Sequence, residues 1–515
     1  MERKVEFKDL ISKGYTFKGD SLILGTSIFE GKPIENCLIK VPLKTLNRHG
    51  LIAGATGTGK TKTLQVITEN LSANSVPVLL MDVKGDLSGI AVAGESNTFI
   101  EERHKLIGIP FTPTQFPVEF LTISEEKGVR MRATVSEFGP VLFSKILELN
   151  DTQSGLVSIV FKYADDNALP LLDLKDFKKV LLFISGEGKE EIQKEYGAIS
   201  TTSIGTILRK VVEIEQQGSE LFFGEKSFEV DDLLRVDEEG RGYISVFRIT
   251  DIQSKPKLFS TFMLSLLSEI YATFPEEGDL DRPKLVIFID EAHLIFENAS
   301  KTLLDQIESI IKLIRSKGVG IFFCTQNPMD VPKEILGQLG LKVQHALRAF
   351  TANDRKVIKL TAENYPISEF YKTEEMLTSM GIGEAAITVL NEKGSPTPLA
   401  ATLLRAPMSR MDILTADEMD AIISKSNLVN KYNQSIDRES AYELLNKKIS
   451  SINEAEEEED REDKKEVSSG KEKGTFEEIF NHTITKQIGR TIFRELTRGL
   501  LGALGVNKRT GRRRY

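Results

Sequence analysis

The sequence predicts an α/β fold with a mainly parallel sheet, a helical insertion and a C-terminal helical tail. Gly50–Ala53 is a short apolar run that leads into a glycine-rich loop, Lys62–Ser72 is helical in pattern, and Val76–Met81 is an apolar run of strand length. An uninterrupted apolar run is typical of a strand that is buried on both faces. Strand, loop, helix and strand in this order form a βαβ unit. The same order returns later in the chain, where Gly242–Ile249 and Lys284–Ile289 are strand-like.

Residues 1–46 are expected to form a short β-rich N-terminal segment. Leu22–Leu24 and Cys37–Val41 have the composition of strands, and Gly31–Pro33 is typical of the turn between them. The segment therefore adds strands ahead of the glycine-rich loop.

The α/β core is expected at residues 47–100 and 241–405, interrupted by an insertion at residues 101–240. In the insertion, apolar residues such as Phe143 and Ile146 recur at helical spacing, which predicts a mostly helical segment. The remaining core elements are predicted as helices at Leu258–Phe274 and Thr302–Ser316, strands at Val319–Cys324 and Lys342–Leu347, and a hairpin of Gly383–Leu390 with Leu399–Leu404.

Three segments are predicted after the core: C-terminal helices at 406–450, an acidic linker at 451–474 and a basic amphipathic tail at 475–515. The linker holds a charge run that cannot build a core. In the tail, four basic residues recur every four positions, so on a helix they share one face. We expect the tail either to dock on its own core or to contact a partner protein, DNA phosphates or an anionic membrane. The basic residues are Lys486, Arg490, Arg494 and Arg498.

Composition and charge limit the class of protein. The 515-residue chain has a net charge of −9, which argues against a protein that coats nucleic acid with its whole surface but allows a local basic channel. Its two cysteines, Cys37 and Cys324, allow at most one disulfide, which fits a reducing compartment. Met1–Leu10 is charged and unlike a signal peptide, and the apolar runs are too short to cross a bilayer. A cytoplasmic protein without an integral membrane segment is expected.

The glycine-rich loop matches the pattern G-x-x-x-x-G-K-[ST]. Glycines let the loop curl so that its backbone N–H groups face a phosphate chain, and the dipole of the following helix favours the same anion. Lys60 is expected to bridge the β- and γ-phosphates of ATP, and the Thr61 hydroxyl to bind Mg²⁺. ATP and Mg²⁺ are therefore the predicted cofactors. The predicted nucleotide-binding residues are Gly54, Ala55, Thr56, Gly57, Thr58, Gly59, Lys60, Thr61 and Lys62.

Two acids follow the apolar run Leu285–Ile289. In α/β sheets, ligands bind at the carboxyl ends of the strands, which is where these acids are expected. Asp290 is placed to hold the Mg²⁺ shell, and Glu291 to accept a proton from the attacking water as general base. An acidic helix N-cap would leave the same pattern, but together with the glycine-rich loop the pair predicts ATP hydrolysis.

Other polar residues near predicted strand ends are candidates for the same site. Gln326 could hydrogen-bond the γ-phosphate or the lytic water, or belong to a polar loop. The acids in Asp82–Asp86 could support Mg²⁺ or form a turn, and the sequence does not decide between them. Arg348, Arg315 and Arg355 are candidates for an arginine finger supplied by a neighbouring subunit, with Arg348 ranked first because it should lie at a strand end.

Four segments of the chain share their pattern with a known family: Asn47–Thr61, Asp82–Leu87, Ile289–His293 and Thr325–Pro328. They resemble the bacterial HerA-like ATPases, often described only as helicase HerA-like C-terminal domain proteins of unknown function. This group belongs to the HerA–FtsK superfamily of P-loop motors. The resemblance implies a RecA-like P-loop NTPase core, a homo-hexameric ring and ATP-driven translocation of double-stranded DNA.

Two further functions compete with a DNA-translocating motor. One is a protein-remodelling or secretion-type ATPase, for which the tail could provide the partner contact. The other is a slow, nucleotide-gated scaffold. Stimulation of ATP turnover by double-stranded DNA would separate the motor from both.

Overall fold

The computed structural model describes residues 2–451, apart from 252–254, 279, 298–300, 435 and 437–438. The chain forms two compact units. The described residues of Met1–Met131 and Phe228–Asn433 form the first unit, and the described residues of Arg132–Ser227 and Gln434–Tyr515 form the second.

The first unit is built on a sheet to which twelve described strands belong. The strands are β1 Ser21–Phe29, β2 Lys32–Pro42, β3 Gly50–Ala53, β4 Val78–Asp82, β5 Val118–Thr122, β6 Val129–Arg130, β7 Ile244–Arg248, β8 Leu285–Ile289, β9 Val319–Thr325, β10 Leu341–His345, β11 Glu384–Val389 and β12 Ala400–Leu404. Their order across the sheet is β2-β1-β12-β11-β10-β3-β9-β8-β4-β7-β5-β6.

The sheet has a parallel part and an antiparallel part. Every neighbouring pair from β10 to β6 is parallel, whereas β2, β1, β12 and β11 extend it in antiparallel fashion beyond β10. The predicted α/β fold with a mainly parallel sheet is therefore confirmed. Because the central strands run in the same direction, their carboxyl ends share one edge of the sheet.

Helices follow the strands along the chain. Those of the first unit are α1 Glu2–Gly14, α2 Lys60–Ala73, α3 Thr98–Ile107, α9 Pro256–Thr273, α10 His293–Glu297, α11 Lys301–Ile314, α12 Lys333–Leu336, α13 Ala352–Glu363, α14 Thr373–Ser379, α15 Ala416–Ile423 and α16 Asn427–Tyr432. Those of the second unit are α4 Val135–Ile146, α5 Asp151–Asp166, α6 Leu174–Phe183, α7 Lys189–Glu195, α8 Thr201–Glu215 and α17 at residues 441–451.

The central strands are buried along their whole length. Every residue of β4, β8 and β9 is buried, as expected for parallel strands that are covered on both faces. Helix α2 buries Leu64 and Ile67 in the apolar cluster that also contains Ile52 of β3. This packing fixes the end of β3 against the start of α2, which is where the glycine-rich loop lies.

The N-terminal segment is more than the β-rich piece that the sequence predicted. The two predicted strands lie within β1 and β2, and β1 joins the main sheet by pairing with β12. The segment also contains α1, which was not predicted. Helix α1 buries Phe7 and Ile11, and Tyr15 just after the helix is also buried. These residues are four positions apart in a charged sequence, so the apolar stripe of the helix is only one residue wide.

The helical insertion differs from its predicted extent of residues 101–240. Within that range, β5 belongs to the main sheet, where it pairs with β7, whereas α4 to α8 belong to the second unit. Glu119 interrupts the apolar run of β5, which hid the strand in the sequence. The carboxylate of Glu119 is buried and lies 2.9 Å from a guanidinium nitrogen of Arg235, so the charge is neutralised inside the fold.

The predicted C-terminal helices at 406–450 appear as α15, α16 and α17, of which α17 belongs to the second unit. Nearly all of the predicted acidic linker at 451–474 and the whole tail at 475–515, with its four basic residues, lie outside the described residues. None of the helices in the described part combines the length and the hydropathy that a membrane span requires.

Candidate nucleotide-binding site

The loop between β3 and α2 has a backbone that only glycine adopts easily. Gly54, Gly57 and Gly59 have φ angles of 149°, 77° and 111°. A Cβ atom on Gly54 would lie 2.5 Å from Cβ of His345, so the loop needs glycine there for space as well. The pattern G-x-x-x-x-G-K-[ST] therefore corresponds to a formed, tightly curled loop.

Neighbouring strands hold this loop in place. The Gly54 N–H donates to the Thr325 carbonyl at 3.3 Å, and the Ala55 N–H donates to the Ala346 carbonyl at 2.9 Å. On the far side of the loop, the Thr58 carbonyl accepts from the Gly383 N–H at 3.0 Å. The loop thus lies at the carboxyl ends of the parallel strands, as the sequence predicted.

Lys60 is the first residue of α2, and its side chain folds back over the loop. Its Nζ atom donates to the carbonyls of Gly54, at 2.8 Å, and Ala55, at 3.2 Å. Burial lowers the pKa of the ammonium, and the nearby Lys84 lowers it further, while Cys324, Glu291 and Asp290 oppose the shift. A triphosphate in the loop would replace two carbonyl dipoles by a full negative charge beside this buried cation.

Thr61 and Lys62 complete the first turn of α2, whose leading N–H groups have no partner within the helix. Thr61 is half-buried. The Lys62 ammonium donates to the Met411 carbonyl, so its side chain is engaged outside the loop. The predicted role of Lys62 in nucleotide binding therefore depends on its backbone.

Asp290 follows β8 and is almost completely buried, with 5% of its surface exposed. Its Oδ2 atom is buried and accepts no hydrogen bond from the described residues. Burial raises the pKa of this carboxyl to about 6, although the positive charge of Lys84 opposes the shift. A buried carboxylate oxygen without a donor suits a divalent cation, which prefers oxygen ligands.

Glu291 occupies a left-handed backbone conformation, with φ 47°, which is uncommon for a residue other than glycine. Its carboxylate is buried and forms an ion pair with Nζ of Lys84. The second carboxylate oxygen lies 3.2 Å from Nδ1 of His293, the first residue of α10. Backbone strain of this kind is often found at functional sites.

Asp82 ends β4, the strand beside β8, and its carboxylate shapes the following turn. It accepts from the N–H groups of Gly85 at 2.7 Å, Asp86 at 3.2 Å and Leu87 at 3.3 Å. Of the two roles that the sequence left open for Asp82, the geometry favours the turn. No local pattern predicts a role for Lys84, because its contact with Glu291 depends on the adjacency of β4 and β8.

Gln326 follows β9, and its Oε1 atom accepts from the Thr56 hydroxyl of the loop at 3.3 Å. Arg348 follows β10 at the same edge of the sheet and is exposed, with one guanidinium nitrogen 3.3 Å from the Thr378 carbonyl. Arg355 is exposed on α13. Arg315 comes after α11 and before β9, so it lies at the opposite edge of the sheet from the loop. The structure assembles the loop, the two acids and Gln326, and places the three arginines outside this group.

The donor set fits Mg²⁺ held jointly with a nucleotide. Within the described residues, no group of three or more His, Cys, Asp or Glu could hold a metal ion. Mg²⁺ is commonly bound by only one or two protein ligands together with phosphate oxygens and water. Thr61 and Asp290 supply such a hydroxyl and carboxylate.

The fold is similar to that of solved conjugation proteins. The bacterial conjugative coupling protein TrwBΔN70, in its unbound monoclinic form, has a TM-score of 0.51 at 13% sequence identity, and the similarity covers 79% of this chain and 95% of that one. TrwB in complex with ADP and Mg²⁺ has a TM-score of 0.50 at 13% identity, covering 78% and 94%. At this identity the likeness concerns the fold, and it confirms the RecA-like class.

Sequence relatives lead to a family. The DNA double-strand break repair helicase HerA of Sulfurisphaera tokodaii is 25% identical over 359 residues, which are 68% of this chain and 64% of that protein. The protein of the same name from Saccharolobus solfataricus is 24% identical over 393 residues, 74% of this chain and 68% of that protein. The chain thus spans less than two thirds of the length of the Sulfurisphaera tokodaii protein. The family described as helicase HerA-like C-terminal matches residues 29–509, and the chain belongs to this family of P-loop ATPases.

Proposed function

We propose that this protein hydrolyses Mg-ATP and uses the energy to move double-stranded DNA. The observation that carries the proposal is the convergence of Lys60, Asp290 and Glu291 at one sheet edge, with a buried Asp290 oxygen left without a donor. Residues with these roles are those that P-loop hydrolysis requires.

Each group has a distinct task in the proposed reaction. The loop N–H groups and the start of α2 bind the phosphates, and Lys60 moves from the loop carbonyls to the terminal phosphate. Mg²⁺, held by Thr61 and Asp290, would offset charge on the β- and γ-phosphates. Glu291 accepts a proton from the attacking water, and Gln326 holds that water or the γ-phosphate by a hydrogen bond.

Two relatives are named as DNA double-strand break repair helicases, which supports DNA as the polymer that this protein moves. We propose a homo-hexamer because of the family to which the chain belongs. In this assembly, an arginine of the neighbouring subunit completes each site. Arg348 is the first candidate, because it is exposed at the same edge as the loop. Arg355 and Arg315 are the alternatives.

The central experiment measures ATP hydrolysis with and without double-stranded DNA. Wild-type protein should turn over ATP faster with DNA, and Lys60→Ala should show neither turnover nor nucleotide binding. Lys372→Ala, an exposed lysine on the loop before α14, serves as the matched control and should behave as wild type. An ATP turnover rate that is the same with and without DNA would reject the proposed DNA-translocating function.

The hexamer and its shared site are tested by mixing two inactive variants. Native mass spectrometry should first show a six-subunit assembly. Mixed rings of Lys60→Ala and Arg348→Ala subunits should regain part of the activity, because an intact loop can then face an intact Arg348. Mixed rings without recovery would exclude Arg348 as the shared residue.

A secretion-type or protein-remodelling ATPase is the second candidate. The fold it shares with the conjugative coupling protein favours it. It predicts turnover that responds to a protein partner and not to DNA, so the same ATPase assay separates the two functions.

A further inference from the structure

The carboxyl ends of β4 and β8 lie side by side. Met81 and Ile289 are the last partners in the parallel ladder, so the segments that follow them begin side by side. Across these two segments, Lys84 forms an ion pair with Glu291. The contact between Lys84 and Glu291 thus depends on the adjacency of two central strands.

The backbone that carries Lys84 is fixed, whereas its ammonium group is reachable from solvent. Three N–H groups bonded to the Asp82 carboxylate hold the turn from Gly85 to Leu87. The Lys84 side chain is 40% exposed, while that of its partner Glu291 is only 5% exposed. A lysine on its flexible stem can swing away while the turn and the carboxylate stay in place.

Both oxygens of the Glu291 carboxylate face a basic group, one the Lys84 ammonium and the other His293 Nδ1 at 3.2 Å. An ammonium ion competes with a proton for the same carboxylate oxygen. In this arrangement the carboxylate that should activate water is already occupied by a cation.

We propose that Lys84 is a positioning residue that prevents Glu291 from activating water until the terminal phosphate of ATP draws the ammonium away. This inference rests on the proposed ATP hydrolysis. In the released state a water O–H bond breaks and its proton passes to Glu291. The water oxygen forms a bond to the γ-phosphorus, and the bond from that phosphorus to the ADP oxygen breaks.

Lys60 cannot play the same part, because it has different partners. Its ammonium is bound by the carbonyls of Gly54 and Ala55 at the loop. The two lysines therefore have separate partners: Lys60 contacts the carbonyls of the phosphate loop, and Lys84 pairs with the proposed base.

The test compares hydrolysis without DNA in wild type, Lys84→Met and Lys84→Arg. Each bound ATP must break this ion pair before hydrolysis, and an ion pair with one exposed partner is weak, so Lys84→Met should raise this basal rate about two- to fivefold. Lys84→Arg keeps the charge and should stay near wild type. Affinity for ADP should not change, because ADP lacks the terminal phosphate that draws the ammonium away. The control is Lys127→Met, a lysine that is paired with Asp420 on the surface and should leave the rate unchanged.

A double variant shows whether the gain passes through Glu291. Lys84→Met with Glu291→Gln should be as inactive as Glu291→Gln alone, and a raised rate in the double variant would overturn the proposal. An unchanged basal rate in Lys84→Met would show that the ion pair does not limit hydrolysis. A lower rate would show that Lys84 takes part in catalysis. Either result would reject the proposed restraint of Glu291 by Lys84. If Lys84→Met fails to fold, Lys84→Gln takes its place.

The proposed function can fail separately. Wild-type protein without any ATP turnover would reject the hydrolase and the restraint together. Wild-type turnover with an unchanged Lys84→Met rate would reject the restraint alone.

Discussion

The ends of β4 and β8 place two aspartates in equivalent positions, yet the two carboxylates have different surroundings. Asp82 and Asp290 are both buried, and burial raises both pKa values, to about 7 and about 6. Asp82 accepts three backbone N–H groups, whereas Asp290 has an oxygen that accepts none from the described residues. Burial and pKa are therefore similar for the acid that shapes a turn and for the proposed Mg²⁺ ligand, and the hydrogen bonding distinguishes the two.

This difference has an energetic meaning. A buried polar atom without a partner destabilises a fold, so such atoms are rare unless a ligand completes them. The Asp82 end is complete without a ligand. We propose that a bound cation completes the Asp290 end, and the predictions below start from this contrast.

The largest effect is expected at the β8 end, from Glu291→Gln. An amide cannot accept the proton of water, so ATP turnover should fall by about 10² to 10⁴, the range of general-base contributions. Binding of a fluorescent ATP analogue should persist, which distinguishes this variant from Lys60→Ala. If Glu291→Gln turned over ATP at the wild-type rate, Glu291 would not be the general base.

The next prediction compares the two aspartates directly through urea unfolding. Asp82→Asn turns one acceptor oxygen into an amide donor facing backbone N–H groups, so the free energy of unfolding should fall by about 1–3 kcal/mol. Asp290→Asn removes a buried charge at an unsatisfied atom and should leave that free energy unchanged or raise it. Equal losses in the two variants would contradict the division into a structural and a ligand-binding end.

Local patterns made most of the core and of the candidate site predictable. The glycine-rich loop and the acids after Ile289 are contiguous in sequence, and their chemistry requires particular residue types. The apolar runs that became β4 and β8 are also local signals, because parallel strands are buried on both faces.

Other features depend on which elements become neighbours. The Lys84–Glu291 ion pair exists because β4 lies beside β8, an order that no local pattern contains. Strand β5 was missed because Glu119 breaks its apolar run, and only Arg235, far along the chain, makes that charge acceptable. Helix α1 was missed because its apolar stripe is one residue wide.

The third prediction concerns His49 at the opposite edge of the sheet, a buried group that, like Asp82, is fully bonded. Its Nδ1 atom accepts from the Ile321 N–H at 3.0 Å, while Nε2 lies 2.9 Å from the Ile311 carbonyl. Protonation would put a proton on the accepting nitrogen, and burial lowers the pKa to about 4.

The direction of the pH effect on stability follows from this lowered pKa. Between pH 6.5 and 4 the unfolded chain binds a proton at His49 that the folded chain does not, so stability from this group is present above pH 6.5 and is lost on acidification. From pH 7 to pH 5, the stability advantage of wild type over His49→Gln should shrink by about 2 kcal/mol. Comparing the two proteins cancels the other titrating groups, including Asp82. Parallel curves of unfolding free energy against pH would refute the assignment.

The smallest effect is expected from Gln326→Ala, at the end of β9. Gln326 is uncharged, and its contact with the loop is one long hydrogen bond that it accepts from an exposed threonine hydroxyl. A neutral hydrogen bond contributes about 0.5–1.5 kcal/mol, so its loss from the transition state should lower kcat by no more than about tenfold. The matched control is Gln338→Ala, an exposed amide just after α12 that donates to the Glu334 carbonyl within that helix. Because Gln326 is proposed to hold the water or the γ-phosphate during reaction, KM and the affinity for ADP should change little while kcat falls. If kcat in Gln326→Ala matches that in Gln338→Ala, the amide is a loop residue, and the chemistry at this edge belongs to Lys60, Asp290 and Glu291 without it.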